Sequence, residues 1–147
     1  TNGSHTDTIC DGLAQDESFY TSLHSKKHEP DAPNYTTRIS GIIEPTTSSM
    51  ALSRITKSDF SAEHSTHFYY RYTEIPPGYG YCLTTYMGDG NPLPAFEGDP
   101  ILVPLEGDAE RIANFYWQKL NQDNRISLFV RELKNSGENR LKIINRF

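Results

Sequence analysis

Hydrophobic and polar positions follow two different periods along this chain, and the change of period marks out its elements. In GLAQDESFYTSLHS (12–25), Leu13, Phe19, Tyr20 and Leu23 fall near one face of a helix. The stretch before it, TNGSHTDTICDG (1–12), is small, polar and turn-forming, and reads as a loop or strand end leading into that helix. In KKHEPDAPN (26–34) the two prolines stop the helix and leave a loop rich in titratable groups. The period then shortens. TTRISGII (36–43), SMALSRIT (49–56), THFYYRYTE (66–74) and GYGYCLTTYM (78–87) are β-branched and aromatic, and read as strands. In the third, Phe68, Tyr70 and Tyr72 alternate with His67, Tyr69 and Arg71, so one face should be buried. Residues 88–100, GDGNPLPAFEGDP, are a long loop rich in proline and glycine, the kind of loop that carries function. Asp108 suits the N-cap of a helix running to Asn121, with Ile112, Phe115, Tyr116 and Leu120 inside. ISLFVREL (126–133) and RLKIINR (140–146) flank the polar turn NSGEN as a hairpin. Helix, four strands, helix and two strands make an α+β fold, with antiparallel sheet packed against helices.

Composition refines this picture. The 147 residues are 35% hydrophobic and 12% aromatic, a balance that fits a soluble globular chain with half-wet faces and a single domain spanning 1–147. No apolar run approaches the roughly 20 residues of a membrane span, and no stretch reads as a signal peptide. With 14 basic and 19 acidic residues the net charge is -5, which argues against a nucleic-acid partner because the basic stripe is missing. An anionic small molecule would need a local site. Cys10 and Cys82 are far apart and not in a CxxC pair, so two free thiols in a reducing compartment is the simpler reading than a disulfide or a zinc site.

Two polar blocks hold most of the candidate chemistry. NGSHTDT (2–8) offers backbone N–H groups that suit an anion nest, although its hydroxyls and carboxylate equally suit a turn that satisfies its own backbone. HEPDAPNYTTR (28–38) brings Glu29, Asp31, Asn34, Tyr35 and Arg38 within eleven positions. A carboxylate held between prolines is placed for acid–base work, and Arg38 for clamping a phosphate or carboxylate; a solvated acidic loop with one salt bridge is the plainer alternative. His24 and His28 have a helical metal-ligand spacing, but Pro30 and the lack of an HExxH pattern argue against a metal, and none is expected. His64 and His67 read as surface residues, and the two glycosylation sequons, at Asn2 and Asn34, as chance matches. Thr1 is a candidate N-terminal nucleophile of an amide hydrolase, though the Asn-Gly that follows does not begin a strand.

Asn2-Gly3-Ser4-His5-Thr6-Asp7-Thr8-Ile9 and Glu29-Pro30-Asp31-Ala32-Pro33-Asn34-Tyr35-Thr36-Thr37-Arg38-Ile39 resemble hallmark blocks of the archaeal-type IMP cyclohydrolase family. Asp89-Gly90-Asn91-Pro92-Leu93-Pro94-Ala95-Phe96-Glu97-Gly98 and Ser127-Leu128-Phe129-Val130-Arg131 are similar to its bacterial branch, so the resemblance spans nearly the whole chain. It implies closure of 5-formamidoimidazole-4-carboxamide ribotide to IMP with loss of water, the last step of de novo purine synthesis. It also implies a four-layer α/β/β/α sandwich similar to N-terminal-nucleophile hydrolases but without autoprocessing, and no cofactor, since no redox step occurs. Glu29 falls where the family has its catalytic glutamate. Asn2, Gly3, Ser4, Asn34 and Arg38 are the expected substrate contacts, and a purine nucleotide the expected ligand. Family members carry a segment before the Asn-Gly block, with an arginine and a tyrosine assigned to the active site. Nothing in residues 1–147 matches it, so the chain reads as the C-terminal portion of a longer protein and is not expected to turn over at the family's rate alone. A cytoplasmic setting follows from the pathway and the absent signal, and the exposed strand face at Tyr69–Arg71 would suit a homo-oligomer. A non-catalytic nucleotide-binding relative is the remaining alternative.

Overall fold

The computed structural model describes residues 2–134 and 137–147. Their elements are α1 (His5–Ala14), α2 (Phe19–Ser22), β1 (Arg38–Glu44), β2 (Ser49–Lys57), β3 (Ser65–Tyr72), β4 (Tyr79–Cys82), β5 (Ile101–Pro104), α3 (Ala109–Lys119), β6 (Ser127–Leu133) and β7 (Asn139–Asn145). This mixture of helices and antiparallel sheet is the expected α+β class. The chain divides into two compact units, Thr1–Glu74 with Tyr81–Ile101, and Ile75–Gly80 with Leu102–Phe147.

In the first unit β1, β2 and β3 form an antiparallel sheet in that order. Opposed residues Ile42 and Ala51 share one face with Ser40, Ser53 and Ile55, because strand side chains alternate sides. Helices α1 and α2 cover that face. Ile9, Phe19, Leu23, Ala51 and Ile55 make its core, with Tyr20 and Ile42 packed against it. Leu23 and Ile55 are essentially sealed from solvent, each worth about 1.5–3 kcal/mol of transfer free energy. The opposite face carries Arg54, Phe68, Tyr70 and Tyr72. The Arg54 guanidinium lies 3.9 Å from the Phe68 ring centroid and donates to the Phe96 carbonyl at 2.5 Å. Tyr72 stacks on Tyr81 at 3.6 Å. The expected burial of the Phe68, Tyr70 and Tyr72 face is therefore partial, and it comes from the 81–98 segment, whose Phe96 is buried.

The N-terminal helix begins earlier and ends earlier than its periodicity suggests. The polar 1–12 stretch is no loop: α1 starts at His5, and its buried stripe is His5, Ile9 and Gly12. The expected single helix over 12–25 is broken at Asp16, which adopts φ 61 while Gln15 and Glu17 both donate to the Gly12 carbonyl. Ser18 then starts the short α2 by accepting from the Thr21 amide. Leu13, counted among the buried residues by periodicity, is exposed. Gly12 belongs inside the helix because a Cβ there would sit 2.8 Å from the Ser22 Cβ, so only glycine lets α2 fold back so closely. The fourth predicted strand, 78–87, shrinks to β4; beyond it Tyr86 keeps only an isolated bridge to Ala95.

The second unit packs α3 on the β6–β7 hairpin. Asp108 caps α3 as expected, accepting from the Arg111 amide at 2.9 Å, and Ala109 and Ala113 are buried beneath it. The turn between β6 and β7 includes residues 135–136, which lie outside the described residues. Strand β5, over residues for which the sequence offered no reading, pairs with β4 in a two-stranded ribbon.

Candidate active site

The two polar blocks singled out by sequence meet in the first unit, at the N-terminus of α1 and the start of β1. Asn2 is committed to backbone. Its Oδ1 accepts from the Ile39 amide at 2.5 Å, its Nδ2 donates to the Thr37 carbonyl at 2.9 Å, and its own amide donates to the Ile39 carbonyl. These bonds lay residues 2–4 along the entrance of β1. Gly3 follows at φ +83, a conformation side chains resist. A Cβ at that position would run into Arg38 Nη1 and lie 3.0 Å from Glu29 Oε1. Glycine is thus what admits a carboxylate–guanidinium pair against the turn.

That pair is Glu29 with Arg38, 2.6 Å between Oε1 and Nη1, on groups that are 31% and 15% exposed. Glu29 is held in place by its backbone, the amide donating to the Thr36 carbonyl at 2.9 Å. Arg38 is fixed at two further points: Nε donates to the Lys27 carbonyl at 2.8 Å, and Nη1 lies 3.2 Å from Nδ1 of the buried His5. Burial, followed by the nearby Arg38 charge, lowers the His5 pKa from 6.5 to about 4, so the ring is neutral near pH 7. Nη2 of Arg38 and Oε2 of Glu29 make no hydrogen bond with any described residue. One proton-accepting oxygen and one amino group with two donors are therefore left for a ligand.

The loop between them is stiffened by side chains. Asp31 accepts from the Thr36 amide at 2.7 Å and from the Thr36 hydroxyl at 2.5 Å. With that proton spent on Asp31, the Tyr86 hydroxyl must be the donor in its 2.5 Å contact with Thr36. The Thr36 hydrogen bonds hold the Asp31 carboxyl below its ordinary range. Asn34 accepts from the Leu93 amide at 3.0 Å, and Asn2 Nδ2 reaches Thr85 Oγ1 at 3.4 Å. Residues 85–93 thus fasten both polar blocks, a role that no residue type in that loop announced. His28 is buried and bonds Ser65 through Nδ1 at 2.8 Å, and His67 is half-buried rather than on the surface.

An open cleft of about 700 Å³ adjoins Arg38, lined also by Ser4, Lys26, Lys27, His28, Tyr35 and neighbouring residues. Ser4 caps α1 by position, and its side chain makes no capping hydrogen bond. Glu29 is not among the cleft's lining residues; it sits against Gly3 on the Arg38 guanidinium. Of the predicted set, then, Gly3, Glu29 and Arg38 converge, Ser4 and Arg38 border the cleft, and Asn2 and Asn34 hold segments together. His5 lies within the first polar block, and nothing in its sequence context marks it as buried against Arg38. Thr1 lies outside the described residues. Cys10 and Cys82 are free thiols.

The two polar blocks of this α+β protein thus build a glutamate–arginine pair beside a cleft that Lys26, Lys27, Arg38 and Glu63 line. The particular family follows from comparison: the family model described as IMP cyclohydrolase-like protein matches residues 1–137, and the chain belongs to that family. Comparison with curated proteins and with solved structures finds no match. Among the described residues no helix is long and apolar enough to cross a membrane.

Proposed function

We propose that this protein catalyses the IMP cyclohydrolase reaction, closing 5-formamidoimidazole-4-carboxamide ribotide to IMP and water. Membership of the family over residues 1–137 supports this reading, and the Glu29–Arg38 pair seated against Gly3 is the observation that carries it. Ring closure requires the carboxamide nitrogen to attack the formyl carbon. A C–N bond forms as the carboxamide nitrogen gives up one proton, the formyl oxygen becomes a hydroxyl, and that hydroxyl leaves as water as the formamido nitrogen gives up its proton and the C=N bond forms. Glu29 Oε2 is the acceptor for the proton given up by nitrogen and returns it to the leaving oxygen. Arg38 Nη2 donates to the oxygen on which negative charge develops. Lys26 and Lys27 in the cleft, near the positive end of the α1 dipole at Ser4, favour the ribotide phosphate against the acidic background of the whole chain. No step is a redox step, so the chemistry asks for no cofactor.

The archaeal-type assignment, the four-layer α/β/β/α sandwich, and a cytoplasmic homo-oligomer binding a purine nucleotide belong to the same reading. The α1–α2 layer on the β1–β3 sheet is consistent with one half of such a sandwich. The test is Glu29→Gln, followed by absorbance for turnover and by calorimetry for IMP binding. Turnover should fall by at least about a hundredfold with binding changed by less than about threefold. Undiminished turnover would refute the assignment of Glu29. Binding by a wild-type chain that shows no turnover would instead favour a non-catalytic nucleotide-binding relative.

A further inference from the structure

We propose that His5 is a positioning residue for this reaction centre: its imidazole carries its proton on Nε2 and accepts a hydrogen bond at Nδ1 from Arg38 Nη1, which orients the guanidinium that holds Glu29. The inference rests on the proposed role of the Glu29–Arg38 pair. Its geometric basis is that a guanidinium nitrogen only donates, so a contact of 3.2 Å between Nη1 and Nδ1 requires a lone pair on Nδ1. Neutral imidazole with Nδ1 free is the Nε2–H tautomer, and no other protonation state satisfies the contact. Nη1 has two hydrogens. It is in hydrogen-bond contact with His5 Nδ1 and forms the 2.6 Å ion pair with Glu29 Oε1. Together with the Nε bond to the Lys27 carbonyl, these contacts hold the planar group at three points, and Nη2 makes no hydrogen bond with any described residue.

Packing alone does not call for this residue. His5 stands at the head of the buried stripe His5, Ile9 and Gly12 on α1, where a leucine would fill the space with no buried polar atom. Instead the chain buries a ring to 1% exposure, and its Nε2 finds no partner among the described residues. Nδ1 is the ring atom given to Arg38. Burial and the Arg38 and Lys26 charges oppose a second proton, and they outweigh the Ile39 backbone, which favours one. Protonated imidazole would lose the acceptor and set two cations against each other. With His5 gone, the guanidinium can pivot about its Nε bond, and the carboxylate it carries moves with it.

The experiment compares His5→Leu, which removes the acceptor, with His5→Asn, whose Oδ1 restores an acceptor near the Nδ1 position. Histidine 15N spectra of the wild type near pH 7 should show unprotonated Nδ1 and protonated Nε2. In turnover of the formamide ribotide, His5→Leu should lose at least about tenfold in kcat with KM changed by less than about threefold, and His5→Asn should recover most of it, since misplacing a catalytic group costs up to about a hundredfold. A charged ring or an Nδ1–H tautomer overturns the proposal, as does His5→Leu with undiminished kcat. Failure of His5→Asn to do better than an equally well-folded His5→Leu also overturns it. If the wild type proves inactive while the Nε2–H tautomer is observed, the proposed reaction fails and the His5–Arg38 contact stands.

Discussion

Acidification forces a proton onto a ring that the fold keeps neutral, and the free energy involved follows from the His5 environment. Unfolded, His5 takes up its proton near 6.5; folded, burial and the Arg38 charge postpone this to about 4. At about 1.4 kcal/mol for each tenfold change in proton affinity, the difference corresponds to roughly 3 kcal/mol. The sign is set by which state binds the proton first. Above 6.5 neither state does, and the full stability is present. As the pH falls toward 4 the unfolded chain gains a proton that the folded chain refuses, so stability declines through that window and then levels off. His28 and His67 are also lowered by burial and act in the same direction. The lowered Asp31 carboxyl draws on stability only below its ordinary value of 3.8. Against a typical domain stability of about 5–15 kcal/mol, a loss of roughly 3 kcal/mol is easily measured. Urea unfolding of wild type and His5→Asn across this range isolates the contribution, because the variant lacks the titrating ring. The wild type should lose about 3 kcal/mol more than the variant between about pH 7 and pH 4. Equal losses would show that His5 is not held neutral in the folded state.

Other substitutions test separate links of the argument. Gly3→Ala should cost about 1–3 kcal/mol for a side chain in the left-handed region, measured by urea unfolding. It should also reduce turnover, because its Cβ occupies the place of Arg38 Nη1; wild-type activity would show that the ion pair is dispensable. Leu23→Ala, at a sealed position between the helices and the sheet, should destabilise by about 2–5 kcal/mol. Asp108→Ala removes the acceptor for the Arg111 amide and should cost about 0.5–2 kcal/mol in thermal or urea unfolding of the second unit.

Local rules account for much of what could be read before any coordinates. β-Branched and aromatic runs located β1, β2 and β3 to within a residue or two, and in β3 alternation also showed two faces meeting different environments. Asp108 announced α3 because a carboxylate before a helix has one main use, accepting an orphan amide. The polar blocks around Asn2 and Glu29 were visible through their residue types and the family resemblance they carry. Misreadings arose where contacts distant in sequence outweighed local pattern. The 1–12 stretch looks like a turn because its apolar content is so low, yet His5, Ile9 and Gly12 make a buried stripe once the sheet lies beneath them. The helix expected over 12–25 ends at Asp16, since a left-handed residue there lets Phe19 and Leu23 reach the core from α2.

The division at the site has the same physical origin. Residue chemistry shows in sequence: Glu29 can accept a proton, Arg38 can donate to an anion, and Gly3 can take a positive φ. Partnership does not show, because it depends on which distant groups the fold brings within bonding distance. That Gly3 is needed to admit a side-chain pair 26 and 35 positions away emerges only when the turn is laid on β1. That His5 is a neutral acceptor, and that residues 85–93 fasten both polar blocks, depends on burial and on contacts closed in three dimensions. Composition and periodicity select the elements and the candidate groups; tertiary packing decides their protonation, their orientation, and which of them remain free for a ligand.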